Sequence, residues 1–370
     1  MKKILMILLI ACLALSFFSC SDEEEDEGYA PIASTAEEAR TVLTLSADGF
    51  SYNIPYELYR AFFLNCKSTV DGGDSSVWSG PDSQTYIAKA EEIIFESVCD
   101  IYSVFHLCNK VGIDIYSSSV EESINEYITA SVEGGSVDGM LFQGYAGNYS
   151  AYLESLKKLN MNYSAQVLLF RYAIASEMLD EYYTDKTNGT DAISFTKEDV
   201  EAFYFSDECV RVISRFFNLS TDLDKEINTT ERINKIRNGM IERIGDENAL
   251  CSYLISTSIE SEDIRGGLII AKHNLDPTLY KDLTNAAFDL EMHEVSLPIN
   301  PDSASVSGCY LLYRTDKSYS HFEEYYSSVE DAYVQNLIGS KLNSAKLDLL
   351  SSLKHTGVMA EYDYSKISMG

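Results

Sequence analysis

Basic residues are scarce in this sequence. The 370 residues include 28 Lys and Arg against 58 Asp and Glu, so the formal charge is −30. A surface of this sign repels nucleic acid phosphates and anionic lipid headgroups, which argues against nucleic acid or peripheral membrane-surface binding. Hydrophobic residues still make up 45% of the chain, enough for sizeable cores, and the length favours two domains.

Patterns that bind metals and cofactors are also missing. The five histidines show no HExxH or similar spacing, and the eight cysteines include no CxxC pair. Neither a nucleotide motif nor the spacing of a hydrolase site is visible, so we predict no cofactor and no metal. Six scattered cysteines with mostly apolar neighbours are typical of buried thiols, although one or two disulfides remain open. These are Cys66, Cys99, Cys108, Cys209, Cys251 and Cys309.

A long apolar run occurs only at the N-terminus. Two lysines precede the run from Ile4 to Phe18, which is too short to span a bilayer comfortably, and the small Ser19 precedes Cys20. The pattern predicts a lipoprotein signal over residues 1–19 and lipidation at Cys20; because Phe17 and Phe18 are bulky, an ordinary secretory signal is the alternative. We expect an extracytoplasmic protein held to the membrane by its lipid.

The segment after Cys20 is strongly acidic. Residues 22–27 are all Asp or Glu, and like charges of this density are not buried. Residues 20–40 are therefore predicted to form a flexible tether.

The following segment has mainly helical periodicity. Apolar residues recur at intervals of three and four from Gln84 to Lys110, which predicts a long helix ending at Gly112. Capping-box spacing predicts further helix starts at Ser119 and Thr196. A strand is predicted at residues 41–45, and a turn with a second strand at residues 46–52. A polar break at 187–191 is the best internal boundary. We assign residues 41–205 to a helical domain.

The pattern then becomes mixed. Residues 206–318 are predicted to form a β-α-α-β-α-β-β domain, so the whole chain is α+β and mostly helical. Residues 319–370 are predicted to contain a long helix at 321–353, which returns to the first domain, and an extended stretch at 358–367 that pairs with residues 41–45. The predicted elements of the mixed domain are strand 209–217, helices 229–244 and 249–255, strand 268–271, helix 277–290, and strands 295–299 and 309–313.

The order of these elements resembles a known family. Residues 112–183 combine a Gly-Ile start, an acidic helix, the sequence LKKLNMN and an apolar helix, and resemble the N-terminal chaperone domain of the SurA and PrsA extracytoplasmic foldases. Residues 210–314 resemble their parvulin-type peptidyl-prolyl isomerase domain. Helix 323–353 takes the place of the segment that returns to the chaperone domain in PrsA-like lipoproteins.

Local matches imply a site in the parvulin-like part. Residues 258–267 keep the family spacing from a serine to a Gly-Gly pair, and residues 286–296 resemble its "aromatic, leucine, GEVS" segment. The resemblance implies a peptide groove at the positions that follow. These are Ser214, Glu260, Leu279, Leu283, Phe288 and Tyr310.

Two of these positions depart from the family. Its two histidines correspond to Ser214, or Arg215 after a one-residue shift, and to Tyr310. Serine and tyrosine also form hydrogen bonds, but both histidines are absent, so isomerase activity is predicted to be weak or lost. Simpler interpretations are that Glu260 belongs to a solvated acidic loop and that Phe288 is a core residue.

Two functions follow from the resemblance. The first is a lipid-anchored foldase or chaperone that binds unfolded secreted polypeptides. The second is a non-catalytic surface lipoprotein that binds a glycan or a partner protein on the same scaffold. Suppression of client aggregation distinguishes them.

Overall fold

The computed structural model describes residues 29–138, 140–185, 193–219, 222–257, 266–273, 277–300 and 308–368. The first elements are β1 (Thr41–Ala47), β2 (Phe50–Pro55), α1 (Tyr56–Asp71), α2 (Ser83–Val111), α3 (Ser118–Glu133), β3 (Gly135–Val137), β4 (Met140–Phe142), α4 (Tyr149–Lys158) and α5 (Tyr163–Thr184). The remaining ones are α6 (Lys197–Phe205), β5 (Cys209–Asn218), α7 (Asp222–Ile227), α8 (Thr230–Ile241), α9 (Glu247–Thr257), β6 (Leu268–Ala271), α10 (Pro277–Asp289), β7 (Gly308–Arg314), α11 (Tyr319–Glu324), α12 (Tyr326–Ser352) and β8 (Lys354–His355).

The fold is α+β, as predicted, with long helices and small antiparallel sheets. The chain divides into two compact units. Unit 1 contains the described residues up to Glu181 and those from Leu342 onward, and unit 2 contains the described residues from Tyr182 to Lys341. The boundaries lie within α5 and α12.

The sheet of unit 1 joins the two ends of the chain. β1 pairs with β2 on one side and with β8 on the other, through Leu43 with His355 and Thr44 with Lys354. The prediction that residues 358–367 are extended and supply this pairing is wrong. Gly357, at φ +87°, turns the chain out of the sheet, and the segments Val358–Glu361 and Tyr364–Lys366 are short 3-10 helices.

Helix ends follow local chemistry at some predicted positions and not at others. Gly112 ends α2 in the left-handed conformation, and Thr196 forms a complete capping box with Asp199, as predicted. The capping box predicted at Ser119 is wrong, because α3 begins at Ser118 and places Ser119 inside the first turn. The predicted helix 321–353 is interrupted at Tyr325, whose ring stacks on His321.

Unit 1 contains a short hairpin that the periodicity did not indicate. β3 pairs with β4, and the hydroxyl of Tyr127 donates to Asp138 in the turn at 2.8 Å. At the base of the hairpin a Cβ added to Gly144 would lie 2.0 Å from the backbone nitrogen of Gly134. Only glycine fits this crossing, and both residues have positive φ.

Residues 29–40, part of the predicted tether, belong to unit 1 and pack against its other elements. The ring of Tyr29 packs against that of Tyr149 in a tilted arrangement, with centroids 5.1 Å apart. Glu38 accepts a hydrogen bond from the guanidinium of Arg60 at 2.7 Å and lies within reach of Asn162. This polar anchoring keeps the segment on the surface of the unit. Cys20, the signal and the rest of the tether lie outside the described residues.

Acid is expected to weaken this attachment through Glu38. Burial raises the pKa of Glu38, but hydrogen bonds from Thr35, Arg60 and Asn162 outweigh it and lower the pKa to about 2. Since the folded pKa lies below the ordinary value of 4.5, the stability that Glu38 contributes is complete above pH 4.5 and is lost as the pH falls towards 2.

Urea unfolding of the wild type and of Glu38→Gln between pH 7 and 2.5 measures this effect. The stability difference between the two should shrink as the pH falls. A difference that stays constant over that range would contradict the assignment.

Unit 2 is built on a three-stranded antiparallel sheet in the order β6-β5-β7. One face of β5 packs on α8 and α9 through Ile213 and Phe217, and the other packs on α10 through Val210 and Val212. The strand predicted at 295–299 is reduced to two isolated bridges, Val295 with Tyr313 and Ile299 with Tyr310. The register slips by one residue between them, around a proline that cannot donate a hydrogen bond.

The cysteines behave as the sequence predicts. All six described cysteines are buried free thiols. Burial raises the pKa of Cys66 to about 11 and of Cys108 to about 12, so these thiols are not activated as thiolates. Within the described part of the chain, no helix is long and apolar enough to cross a membrane.

Candidate functional site

The candidate site lies on the α10 side of the unit 2 sheet. Alternate residues of a strand point to the same face, so Ser214 and Phe216 share this face with Val210 and Val212. Leu312 pairs with Ser214, and Tyr310 pairs with Phe216. The sheet register therefore brings Ser214 and Tyr310 onto one face, one diagonal step apart.

Helix α10 covers part of this face. Leu283 and Ala287 are buried against the sheet, whereas Phe288 is only partly buried at the margin of the same cluster. The guanidinium of Arg314 donates to the carbonyl oxygen of Phe288 at 3.1 Å and so holds the end of the helix. The position of Phe288 is thus fixed by both packing and a cation at the helix C-terminus.

Beyond the helix, the face carries a partly exposed aromatic pair. The rings of Phe216 and Tyr310 lie 4.7 Å apart, and Phe216 is 39% exposed. Gly308 makes room for this arrangement, because a Cβ there would lie 2.1 Å from the Phe216 ring. Leu268, which pairs with Val212 and is 42% exposed, extends the apolar surface towards β6.

We call this surface the open face. It is partly exposed, apolar and aromatic, and contiguous surfaces of this character are typical of binding sites. Its members are Ser214, Phe216, Leu268, Phe288, Ile299 and Tyr310.

The structure separates the predicted site residues. Ser214, Phe288 and Tyr310 come together on the open face, while Leu283 is 3% exposed and belongs to the core. Arg215, the alternative to Ser214, pairs with Leu311 on the opposite face, where its guanidinium lies 5.6 Å from the Phe217 ring. Glu260 and the side chain of Leu279 lie outside the described part of the chain.

Three residues of the open face were missed from the sequence. Phe216 lies two residues after Ser214 on β5, so strand alternation already places both on one face. Leu268 and Ile299 come from separate segments, and only the sheet register shows that they share this face.

The chemistry of the open face is that of a binding surface. The side chains of its residues are apolar, aromatic or hydroxylic. Among the described residues, no cluster of three or more His, Cys, Asp or Glu could hold a metal ion. The arrangement can bury apolar side chains of a partner and offer hydroxyl groups to its backbone.

No protein-family model matches this chain, and no curated protein matches it significantly.

Proposed function

We propose that this protein is a membrane-anchored extracytoplasmic foldase or chaperone of the SurA and PrsA type, which binds unfolded secreted polypeptides. In this proposal the helical domain predicted at residues 41–205 corresponds to the chaperone domain, and residues 206–318, within unit 2, correspond to a degenerate parvulin-like domain. The single observation that carries the proposal is the open face, on which Ser214 and Phe288 lie beside the partly exposed aromatic pair of Phe216 and Tyr310.

The order of elements in unit 2 supports this proposal. β5 is followed by α7, α8 and α9, then by β6, α10, two isolated bridges and β7. Apart from the short α7 and the reduced strand at 295–299, this is the predicted order.

The proposed mechanism is reversible burial of apolar segments of the client. A client side chain covering Phe216 and Tyr310 removes apolar surface from water, which is worth about 25 cal/mol per Å². The charge of −30 keeps the loaded complex soluble. Serine and tyrosine in place of two histidines leave the face suited to binding and poorly suited to twisting an X-Pro bond, whose barrier is about 18–20 kcal/mol.

The test is suppression of aggregation of an acidic client, such as reduced α-lactalbumin, so that charge attraction does not drive binding. We expect the wild type to suppress aggregation and Phe216→Ser to need roughly tenfold more protein for the same effect, because about 1.5 kcal/mol of aromatic burial is lost.

Leu223→Ser is the matched control, since Leu223 is 65% exposed on α7 of the same unit but lies outside the open face. Equal losses in the two variants would remove the open face from the mechanism. A wild-type protein that does not suppress aggregation would overturn the foldase proposal.

The second candidate is a non-catalytic binding lipoprotein for a glycan or a partner protein. The burial of Leu283 favours it, because a residue implied for the proline pocket fills the core instead. In a proline-peptide isomerisation assay, no acceleration above buffer would remove the isomerase activity and leave chaperone binding in place. A soluble ligand that binds the protein without any effect on aggregation would favour this candidate.

A further inference from the structure

His321 lies at the centre of a buried polar network in unit 2. It belongs to α11 and is 7% exposed. Its Nε2 lies 2.7 Å from the carbonyl oxygen of Gly266, and its Nδ1 lies 2.9 Å from the hydroxyl of Tyr204 on α6. One imidazole therefore connects α6, α11 and the residues that lead into β6.

The two contacts determine where the protons are. A carbonyl oxygen only accepts, so Nε2 of His321 must carry the hydrogen that reaches Gly266. In a neutral imidazole the other nitrogen is then an acceptor, and the Tyr204 hydroxyl donates to Nδ1. Tyr204 is fully buried, which holds its hydroxyl in this contact.

A cation already occupies the neighbouring position. The Nε of Arg211 also donates to the carbonyl oxygen of Gly266, at 3.4 Å. Arg211 is 4% exposed and is held by the carboxylate of Glu247, which also accepts from the Thr315 hydroxyl at 2.7 Å. A second positive charge on His321 would share one acceptor with this guanidinium in a buried site.

Gly266, which this network holds, and Gly267, which follows it along the chain, are closely surrounded by other atoms. A Cβ on Gly266 would lie 2.7 Å from the ring of Tyr325, which itself stacks on His321 at 4.6 Å. A Cβ on Gly267, at φ +68°, would lie 2.8 Å from the carbonyl oxygen of Val212. This packing explains why the Gly-Gly pair is needed immediately before Leu268 begins β6.

We propose that the Tyr204–His321–Gly266 contact is a proton-operated latch on the start of β6. A proton taken up from solvent at Nδ1 makes His321 a buried imidazolium, requires the Tyr204 hydroxyl to turn and accept from Nδ1, and places a second cation beside Arg211. The charged imidazole keeps its hydrogen bond to Gly266, but a second cation buried beside Arg211 costs more than that bond gains, so protonation favours opening of the contact. The latch goes beyond the proposed function and does not depend on it.

The charged and titratable groups around His321 come from every element packed against it. α6 contributes Tyr204, β5 contributes Arg211 and α9 contributes Glu247, whose negative charge partly compensates. Lys317, 5.9 Å from the Tyr204 ring centroid, adds positive charge, and Glu324 on α11 adds negative charge. Burial lowers the pKa of His321 below its ordinary value of 6.5, and Arg211 lowers it further, although Gly266 and Glu247 act in the opposite direction.

The sign of the expected pH effect follows. Since the folded pKa of His321 lies below 6.5, the unfolded chain binds the proton more tightly. The latch therefore stabilises unit 2 fully above pH 6.5, and its contribution is lost as the pH falls below that value. Because one proton is taken up, the equilibrium constant for opening the latch rises by at most about tenfold for each pH unit that the pH falls.

Hydrogen exchange of the wild-type protein at pH 7.5 and 5.0 tests the latch, with rates corrected for intrinsic exchange. We expect protection at residues 268–271 to fall by up to about tenfold per pH unit below 6.5, and NMR titration to give His321 a pKa below 6.5. Unchanged β6 protection, or a His321 pKa of 6.5 or higher, would overturn the proposal without any variant.

Two variants sharpen the test. His321→Gln keeps a donor for Gly266 but does not titrate, so the pH dependence at β6 should disappear. His293→Gln is the control, because His293 is a half-buried histidine of the same unit, paired with Asp316 at 3.2 Å, and the pH dependence should remain. Loss of the dependence in the control instead would assign it to a different histidine.

Discussion

Glu247→Ala is expected to lower the free energy of unfolding of unit 2 by about 3–5 kcal/mol. Arg211 is 4% exposed, and its Nη1 donates to a carboxylate oxygen of Glu247 at 2.9 Å. Without that carboxylate the guanidinium stays in the interior as an uncompensated charge, which costs far more than the ion pair contributes. The Thr315 hydroxyl loses its acceptor as well.

Hydrogen exchange at β5 and β7 measures this loss in unit 2. Glu208→Ala is the matched control, because Glu208 pairs with Lys272 at 3.4 Å and both side chains are largely exposed. Exposed pairs contribute at most about 1 kcal/mol, so the control should change little. Similar small losses in both variants would show that Glu247 does not compensate a buried charge.

Gly144→Ala is expected to destabilise unit 1 by about 2–5 kcal/mol, because two costs add. A non-glycine residue at φ +66° costs roughly 1–2 kcal/mol, and overpacking typically costs about 1–3 kcal/mol more. The added Cβ would lie 2.0 Å from the nitrogen of Gly134 and 2.4 Å from the carbonyl carbon of Glu133. Both of these are backbone atoms, so the strain is relieved only if the β3-β4 hairpin moves.

Trp78 provides the measurement. It is the only tryptophan of the chain, is 3% exposed, and packs against Phe63 in unit 1 with ring centroids 5.0 Å apart. Its fluorescence during urea unfolding therefore reports on this unit. Gly72→Ala is the control, because Gly72 also has positive φ, at +60°, but an added Cβ there meets no described atom within 4 Å. If both variants lose the same stability, the backbone crossing is not tight.

The sequence predicted the elements that depend on local interactions. The apolar stripe of α2, its end at Gly112 and the capping box of Thr196 are each decided by residues within a few positions of one another. The prediction at Ser119 was wrong because the same local spacing of residues can occur inside a helix. α3 begins at Ser118, so Ser119 lies in its first turn and does not cap the helix.

Contacts between distant segments were not predictable in this way. The pairing of β1 was assigned to residues 358–367, yet β8 supplies it, because the left-handed turn at Gly357 takes the chain out of the sheet. Similarly, Ser214 and Tyr310 were candidates by resemblance, but their place beside Phe216 depends on the β5-β7 register. Shifting that register by one residue would turn Ser214 away from the open face.

The sequence by itself determined the α+β class, the buried state of the cysteines, the strongly acidic surface and most helices, because composition and short-range periodicity set these properties. Only the tertiary structure decided which predicted residues share the open face, and that His321 holds Gly266 beside Arg211. The reason is physical. A hydrogen bond between residues 55 positions apart depends on the packing of several elements at once, and no local pattern encodes that packing.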